Sequence, residues 1–231
     1  MFPLSAGRTL ASGTCPRVQV IATHPVEATL AGAPLLLHAV AAGAATAVCA
    51  VTPGESRPVA AGTPPRLDGV GALRAEELRR AARRLWVQQV DVLDRPDLDG
   101  LRRAIRGFTP DIIAVVAGGT PLHARLVTSV LGLGGSARVH LLHSDDHELP
   151  ASTASGMRVR ISTADHGWAW RRALAEHGSE TGVPMPGEGA PRHVVLERLD
   201  GPRVLRQTLP QTLARSQGHL RVVPTSEARS A

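Results

Sequence analysis

The sequence of 231 residues contains no lysine and no tyrosine, and only two phenylalanines and three tryptophans. Its 26 basic residues are therefore all arginines, and the formal net charge is +6. Arginines alternate with acids, as in "RAEELRRAARR", which is typical of a solvated helix face. Few aromatic rings are available to stack on bases, so we expect no nucleic-acid partner. The exclusive use of arginine indicates a GC-rich genome of the actinobacterial type.

Cysteine and long apolar runs are also scarce. The two cysteines cannot build a disulfide framework, and Cys49, within "ATAVCAV", is expected to be a small buried residue. No apolar run approaches the roughly 18 residues that span a bilayer. The first 17 residues lack the basic and apolar regions of a secretory signal. The sequence therefore predicts a cytoplasmic protein that does not contact a membrane.

Short apolar runs alternate with helical patterns along the chain. Strands are predicted at 17–22, 45–51, 88–93, 110–117 and 137–142, and helices at 28–42, 73–85, 96–106 and 121–131. Beyond residue 142 the pattern loosens, with strands at 157–162 and 193–199 and a helix at 165–177. Such alternation predicts an α/β fold, a three-layer Rossmann-like domain whose mostly parallel sheet is covered on both faces.

The domain organisation follows from the same pattern. We expect one α/β domain over residues 17–200, preceded by a flexible tail at 1–16 and followed by a partly disordered extension at 201–231. Hydrophobic residues make up 43% of the chain, which is enough for one continuous core. A homo-oligomer is compatible with the sequence.

Two histidines follow separate predicted strands. His24 comes after the first strand and His123 after the strand at 110–117. Ligands of open parallel sheets bind at the carboxyl ends of the strands, and Glu27 lies three positions after His24. Two imidazoles and one carboxylate are a familiar ligand set for catalytic zinc. Polar loop residues would give the same spacing, so spacing alone leaves both interpretations open.

The order of several motifs resembles the PIG-L or LmbE-like de-N-acetylase family. Its members open with a strand and "PHPDDE", followed by a second strand leading to "TxGE". The segment "VIATHPVEATLAGAPLLLHAVAAGAATAVCAVTPGES" has this order without gaps. The family's next helix corresponds to "RAEELRRAARRLW", with Trp86 where the family has glycine. Its "RPDVV" strand corresponds to "TPDIIAVV" and its "HPDH" turn to "TPLH". Its final "HxSQ" corresponds to "EHGSE". The resemblance implies the LmbE-like fold and a zinc-dependent amide hydrolase.

The resemblance also implies roles for individual residues. Family members bind zinc through the first His and second Asp of the opening motif and the last His of "HPDH", which implies His24, Glu27 and His123 as ligands. Glu27 replaces an Asp, and its extra methylene shifts the carboxylate by roughly an ångström, whereas zinc–oxygen distances are confined to ~2.0–2.2 Å. Arg74 matches a family arginine that contacts sugar hydroxyls and is expected to bind substrate.

Four polar positions of the family motifs are changed. Val26 stands where the general-base Asp would act, and Ala28 replaces the Glu that follows the ligand position. Thr120 replaces a His that helps to stabilise the oxyanion, and Leu122 replaces an Asp. General acid–base help is worth ~10²–10⁴ in rate. Substitute groups would have to come from elsewhere in the chain, and the candidates are Asp145, Asp146, His147 and His166.

Three functions are compatible with this pattern. The first is a zinc-dependent N-deacetylase of weakened or altered activity, whose substrate is an N-acylated amino sugar or a related small molecule. The second is a non-catalytic relative that uses the same pocket to bind a small ligand or a protein partner. The third keeps the metal and runs different chemistry in the drier pocket that Val26 and Leu122 would create.

Overall fold

A computed structural model describes residues 15–63, 69–143, 158–180 and 193–199. Seven strands form one sheet in the order β3-β2-β1-β4-β5-β7-β6. Strands β1 to β5 run parallel, and β7 runs antiparallel to both β5 and β6. The predicted α/β fold with a mostly parallel sheet is confirmed. The strands are β1 (Arg17–Ala22), β2 (Ala45–Ala50), β3 (Gln89–Val92), β4 (Ile112–Val116), β5 (Arg138–His143), β6 (Arg158–Ser162) and β7 (His193–Arg198).

Helices cover both faces of this sheet and complete the three layers. One hydrophobic cluster joins a sheet face to α1, α2, α3 and α6, while the other joins the opposite face to α4 and α5. Both clusters consist mainly of aliphatic side chains, whose removal from water is the main stabilising term of such a core. The helices are α1 (Pro25–Leu30), α2 (Ala33–Ala41), α3 (Gly69–Arg84), α4 (Leu98–Phe108), α5 (Pro121–Leu133) and α6 (Gly167–Leu174).

The prediction of a single helix at 28–42 was wrong, because two helices, α1 and α2, occupy that segment. The break falls at Gly32, where an added Cβ would lie 2.2 Å from the Ala28 carbonyl oxygen and 2.8 Å from Val20 Cγ1. The chain therefore passes closer to β1 than any larger residue would allow. Pro34 then has no N–H with which to continue the hydrogen bonds of α1, and the next helix starts around it.

Two other helix limits also differ from the prediction. The helix predicted at 96–106 starts at Leu98, since Asp97 is its N-cap and accepts a hydrogen bond from the Gly100 amide at 2.6 Å. The helix predicted at 165–177 is a 3₁₀ turn (Ala164–His166) followed by α6, which ends at Leu174.

The predicted N-terminal tail, apart from its last two residues, and the predicted extension at 201–231 lie outside the described residues. Within the described residues, no helix combines the length and apolar character needed to span a membrane.

Strand β1 is the point where the strand order reverses. β2 and β3 lie on one side of it and β4 and β5 on the other, with Val18 paired to Thr46 of β2 and to Ile112 of β4. The connections therefore leave the carboxyl ends of β1 and β4 in opposite directions and open a crevice between them. The segments 23–27 and 117–123 meet at this crevice.

Trp86 has a left-handed backbone conformation just after α3, with φ at 56°, and its side chain is 55% exposed. A Cβ at this conformation costs roughly 1–2 kcal/mol, whereas glycine adopts it without strain. We therefore expect Trp86→Gly to be more stable than Trp86→Ala by about 1 kcal/mol, the reverse of the usual order of these two residues. Urea unfolding of both variants measures this difference.

Both variants remove the indole, so any packing that it provides cancels in the comparison. A matched pair at Trp168, which is equally exposed but lies within α6, should show the normal preference for alanine. If the alanine variant at residue 86 were the more stable one, strain at Trp86 would be ruled out.

Candidate functional site

The crevice between β1 and β4 contains the three predicted metal ligands. His24 follows β1 and precedes α1, Glu27 lies in the first turn of α1, and His123 lies in the first turn of α5. Glu27 is half-buried and His123 is buried. The fold therefore brings together residues that are about 100 positions apart in the chain.

Glu27 and His123 contact each other directly. His123 Nε2 lies 3.4 Å from Glu27 Oε2, and the same carboxylate oxygen accepts a hydrogen bond from the Thr23 hydroxyl and one of 3.3 Å from the His24 amide. Burial raises the pKa of Glu27, but the hydrogen bonds from His123 and Thr23 outweigh it and bring the pKa down to about 2. Glu27 is thus ionised at neutral pH.

His24 has one ring nitrogen available to the crevice. The Thr52 hydroxyl donates its only proton to the Thr23 carbonyl oxygen at 2.8 Å, so it must accept from His24 Nδ1, also at 2.8 Å. The proton of the neutral ring is therefore on Nδ1, and the lone pair is on Nε2. Burial lowers the pKa of His24 from its ordinary value, which favours this neutral form.

His123 is held from three sides. The Thr23 hydroxyl gives its proton to Glu27, so it accepts from His123 Nε2 at 3.1 Å, and the Thr120 hydroxyl lies 2.6 Å from His123 Nδ1. The ring also lies against the backbone of Gly118, where an added Cβ would be 2.4 Å from Nε2. Glycine at 118 is thus required for this ring position, whereas Gly119 has open space around it.

These contacts test the fit of a metal ion. The donor types suit zinc, since a carboxylate and two imidazoles are common zinc ligands. Their positions do not suit it, because His123 directs an N–H, not a lone pair, towards Glu27. Among all residues that the structure describes, no three His, Cys, Asp or Glu side chains are grouped so that they could hold a metal ion. The assignment of His24, Glu27 and His123 as ligands stays a prediction.

The residues at the changed motif positions provide no general base at the crevice. Val26 is 3% exposed and Ala28 is fully buried, so both belong to the packing of α1. Thr120 is the N-cap of α5 and fixes His123 through its hydroxyl. The predicted substitutes Asp145, Asp146 and His147 lie outside the described residues, and His166 lies in the 3₁₀ turn before α6.

Arg74, which the resemblance assigns to substrate, has a fully buried side chain in α3. Its guanidinium donates to the carbonyl oxygens of Gly54, of Arg57 at 3.2 Å and of Pro58 at 2.8 Å. Its Nε lies 3.3 Å from Glu180 Oε1. In this arrangement Arg74 holds the loop after β2 in place, and its predicted contact with substrate stays a prediction.

Charged residues of opposite sign continue from Arg74 to the crevice. Glu180 accepts a hydrogen bond of 3.0 Å from Arg57 Nε, and Arg57 Nη1 lies 3.6 Å from Glu27 Oε1. We call the residues Arg74, Glu180, Arg57 and Glu27 the ion-pair row. Sequence reasoning missed Arg57, Glu180, Thr23 and Thr52. Thr23 and Thr52 could have been found, because both directly follow predicted parallel strands, but nothing in the sequence links Arg57 to Glu180.

Comparison with known proteins identifies the type of domain. Residues 19–131 match the family model described as PIG-L, GlcNAc-PI de-N-acetylase, so the resemblance seen in the sequence is confirmed over that segment. No curated protein sequence matches the chain significantly. Of the solved structures that share the fold, three that are 14–15% identical to this chain show the range of activities.

The first of these structures is a teicoplanin deacetylase in its zinc-inhibited form, 15% identical, with a TM-score of 0.62 over 80% of this chain and 99% of its own. The second is the N,N'-diacetylchitobiose deacetylase of Pyrococcus horikoshii, 15% identical, with a TM-score of 0.54 over 83% of this chain and 85% of its own. The third is a 4-carboxy-2-hydroxymuconate hydratase of Pseudomonas putida, 14% identical, with a TM-score of 0.54 over 80% and 96%. One fold thus carries two kinds of chemistry, and function has to be argued from the site.

Proposed function

Because residues 19–131 belong to the PIG-L family of GlcNAc-PI de-N-acetylases, we propose that this chain is an amide hydrolase of the de-N-acetylase type. Its substrate is a small molecule that carries an N-acyl group, such as an N-acylated amino sugar. The observation that carries this proposal is the ionised Glu27 beside His123 at the carboxyl ends of β1 and β4, with the Nε2 lone pair of His24 at the same crevice.

The proposal includes zinc or another divalent metal as cofactor. A bound metal of this kind supplies Lewis acidity towards an amide carbonyl and lowers the pKa of water. The chain supplies suitable donors, but Glu27 and His123 bind each other and Thr23 instead of directing lone pairs to a common point. The chain's own residues hold the polar end of the ligand at the crevice, with Glu27 as a fixed negative charge.

We expect the turnover to be slow, because Val26 offers no proton acceptor where the family has one. Val26→Asp should raise the release of free amine from N-acetylglucosamine by about 10²-fold, the lower limit of general-base help. Val26→Asn is the matched control, since it introduces a side chain of equal size that cannot accept a proton at neutral pH. Equal rates for the Asp and Asn variants would contradict the proposed role of position 26.

Two further measurements test the site itself. The metal part of the proposal requires Glu27 and His123 to give up their mutual contact, and the metal content of the purified chain, before and after dialysis against a chelator and in His123→Ala, tests whether they do. Gly118→Ala should reduce amine release, because its Cβ would overlap His123, whereas Gly119→Ala should leave it unchanged. Absence of amide hydrolysis in both the parent chain and Val26→Asp, with metal supplied, would overturn the hydrolase assignment.

A second candidate is a non-catalytic relative that binds a ligand in the same crevice. The burial of Val26 and Ala28 in the packing of α1 favours it, since the positions that would activate water have become part of the core. This candidate predicts saturable binding of an N-acylated ligand without turnover, and no gain on Val26→Asp. Binding and amine release measured on the same preparation separate the two candidates.

A further inference from the structure

We infer that Arg57 is the substrate-recognising cation of this crevice, and that its ligand carries an oxyanion group, a phosphate or a carboxylate. This inference rests on the proposed function for the N-acyl part of the ligand and adds a second recognition point. It also differs from the resemblance, which assigns the substrate arginine to Arg74. Arg74 is fully buried against the loop that contains Arg57, whereas the Arg57 side chain is partly exposed and lies 3.6 Å from Glu27 at the crevice.

Arg57 shares its nearest carboxylate with a second guanidinium. Glu180 has a 1% exposed side chain and binds Arg57 through Oε2 and Arg74 through Oε1, so two guanidinium groups share one carboxylate. Arg74 alone would be enough to neutralise Glu180. Arg57 is therefore not needed to neutralise Glu180. Because the ionised Glu27 is the second anion of the ion-pair row, the row carries no net charge, and Arg57 offers an oxyanion its N–H groups and not an excess of positive charge.

The outer N–H groups of Arg57 remain available. Its Nε is bonded to Glu180, but its Nη1 is 3.6 Å from Glu27 Oε1, which is longer than a hydrogen bond. The other oxygen of Glu27 already accepts from Thr23 and from the His24 amide. Among the described residues, the Arg57 side chain has no other hydrogen-bond acceptor, and 34% of it is exposed. A guanidinium with free neighbouring N–H groups binds the two oxygens of a phosphate or carboxylate in parallel.

The backbone around Arg57 is fixed before any ligand arrives. Its amide donates to the Gly54 carbonyl oxygen at 3.1 Å, and its own carbonyl accepts from Arg74 at 3.2 Å. Val59 pairs with Glu180 across an antiparallel bridge, and the Ala60 amide donates to the Ser179 carbonyl oxygen at 2.9 Å. An arginine held in this way loses little conformational entropy on binding.

The test is equilibrium binding of the full chain to three probes: N-acetylglucosamine, N-acetylglucosamine 6-phosphate and N-acetylmuramic acid. The phosphate and carboxylate probes distinguish the two sources of the oxyanion. We expect at least one anionic probe to bind about tenfold more tightly than N-acetylglucosamine, as charge-assisted hydrogen bonds to an arginine allow. Arg57→Gln should abolish this preference, while Arg79→Gln, an exposed arginine on α3, should keep it.

Arg57→Lys is the second variant, because it keeps the charge that Glu180 pairs with and loses only the fork of N–H groups. It should fold like the parent and lose several-fold of the preference. Equal affinity for charged and neutral probes in the parent chain, or a preference that survives in Arg57→Gln, overturns the inference. Binding is measured independently of turnover. A chain that prefers anionic probes but releases no amine would therefore contradict the hydrolase proposal and still support the role of Arg57.

Discussion

Replacing Arg74 by methionine should lower the free energy of unfolding by about 3–5 kcal/mol, the range for breaking a buried ion pair by removing one partner. Methionine fills similar space in α3 but removes the guanidinium that donates to the carbonyl oxygens of Gly54, Arg57 and Pro58, of which, among the described residues, only Gly54 keeps a donor, the Arg57 amide. It also removes one of the two cations that pair with the buried Glu180. Urea unfolding at neutral pH measures the loss.

A substrate-binding arginine would give a different result. If Arg74 served only to contact substrate, Arg74→Met would weaken binding and leave the free energy of unfolding near that of the parent. Arg79→Met is the matched control, because Arg79 lies on the exposed side of the same helix and should change stability by less than about 0.5 kcal/mol. Equal stability of the two variants would show that Arg74 is not a structural residue.

The double variant Arg74→Met with Glu180→Gln adds a further check. It removes the anion that Arg74→Met leaves poorly compensated, so it should recover part of the lost stability. Recovery would assign the loss to the uncompensated charge, and no recovery would assign it to the three carbonyl oxygens. Either result separates the ion pair from the loop contacts.

The strands and layers of this fold could be predicted because each is specified locally. The run "IIAVV" of β4 is buried throughout, and a short continuous apolar run between turn signals is typical of an inner parallel strand. The break at Gly32 could not be predicted, because it depends on the approach of the chain to Val20 of β1, which the periodicity of α1 and α2 does not record.

The candidate site was predictable only as a list of positions. His24, Glu27 and His123 follow parallel strands, and the common direction of those strands is enough to place them at one edge of the sheet. Their mutual orientation depends on hydroxyl groups, since Thr52 fixes the tautomer of His24, and Thr23 and Thr120 fix the ring of His123. Such contacts arise between separate loops and leave no periodic pattern in the sequence.

Glutamate at position 27, where the resemblance implies an aspartate, favours the contacts that this carboxylate makes within the chain. Glu27 caps its own helix by accepting from the His24 amide, and the same oxygen accepts from Thr23. An aspartate has one methylene fewer and reaches a shorter distance back from the third helical position, where capping-box residues are normally Glu or Gln. The longer side chain thus favours a hydrogen-bonded carboxylate over one that is free to bind a ligand.

Acid should destabilise the fold through His177. This side chain is 3% exposed, its Nε2 lies 2.8 Å from the Thr29 hydroxyl, and its Nδ1 has no hydrogen-bond partner among the described residues. Burial, together with the nearby charge of Arg80, lowers the pKa of His177 to about 4. An unfolded histidine has a pKa of about 6.5, so between these values the unfolded chain binds more protons. Stability therefore falls as the pH drops below 6.5, by about 2 kcal/mol at pH 5.

His177→Gln should remove this part of the pH dependence, because glutamine can still bond to the Thr29 hydroxyl and does not titrate. Unfolding of the parent and of the variant by urea at pH 7.5 and pH 5 gives the two changes in free energy, and their difference should be about 2 kcal/mol. The contribution of His24, whose pKa is also lowered by burial, is common to both chains and cancels. His38→Gln in α2 is the control and should keep the dependence of the parent. An unchanged pH dependence in His177→Gln would contradict this assignment, because protonation of a histidine that is 3% exposed and has one ring nitrogen without a partner among the described residues has to cost free energy.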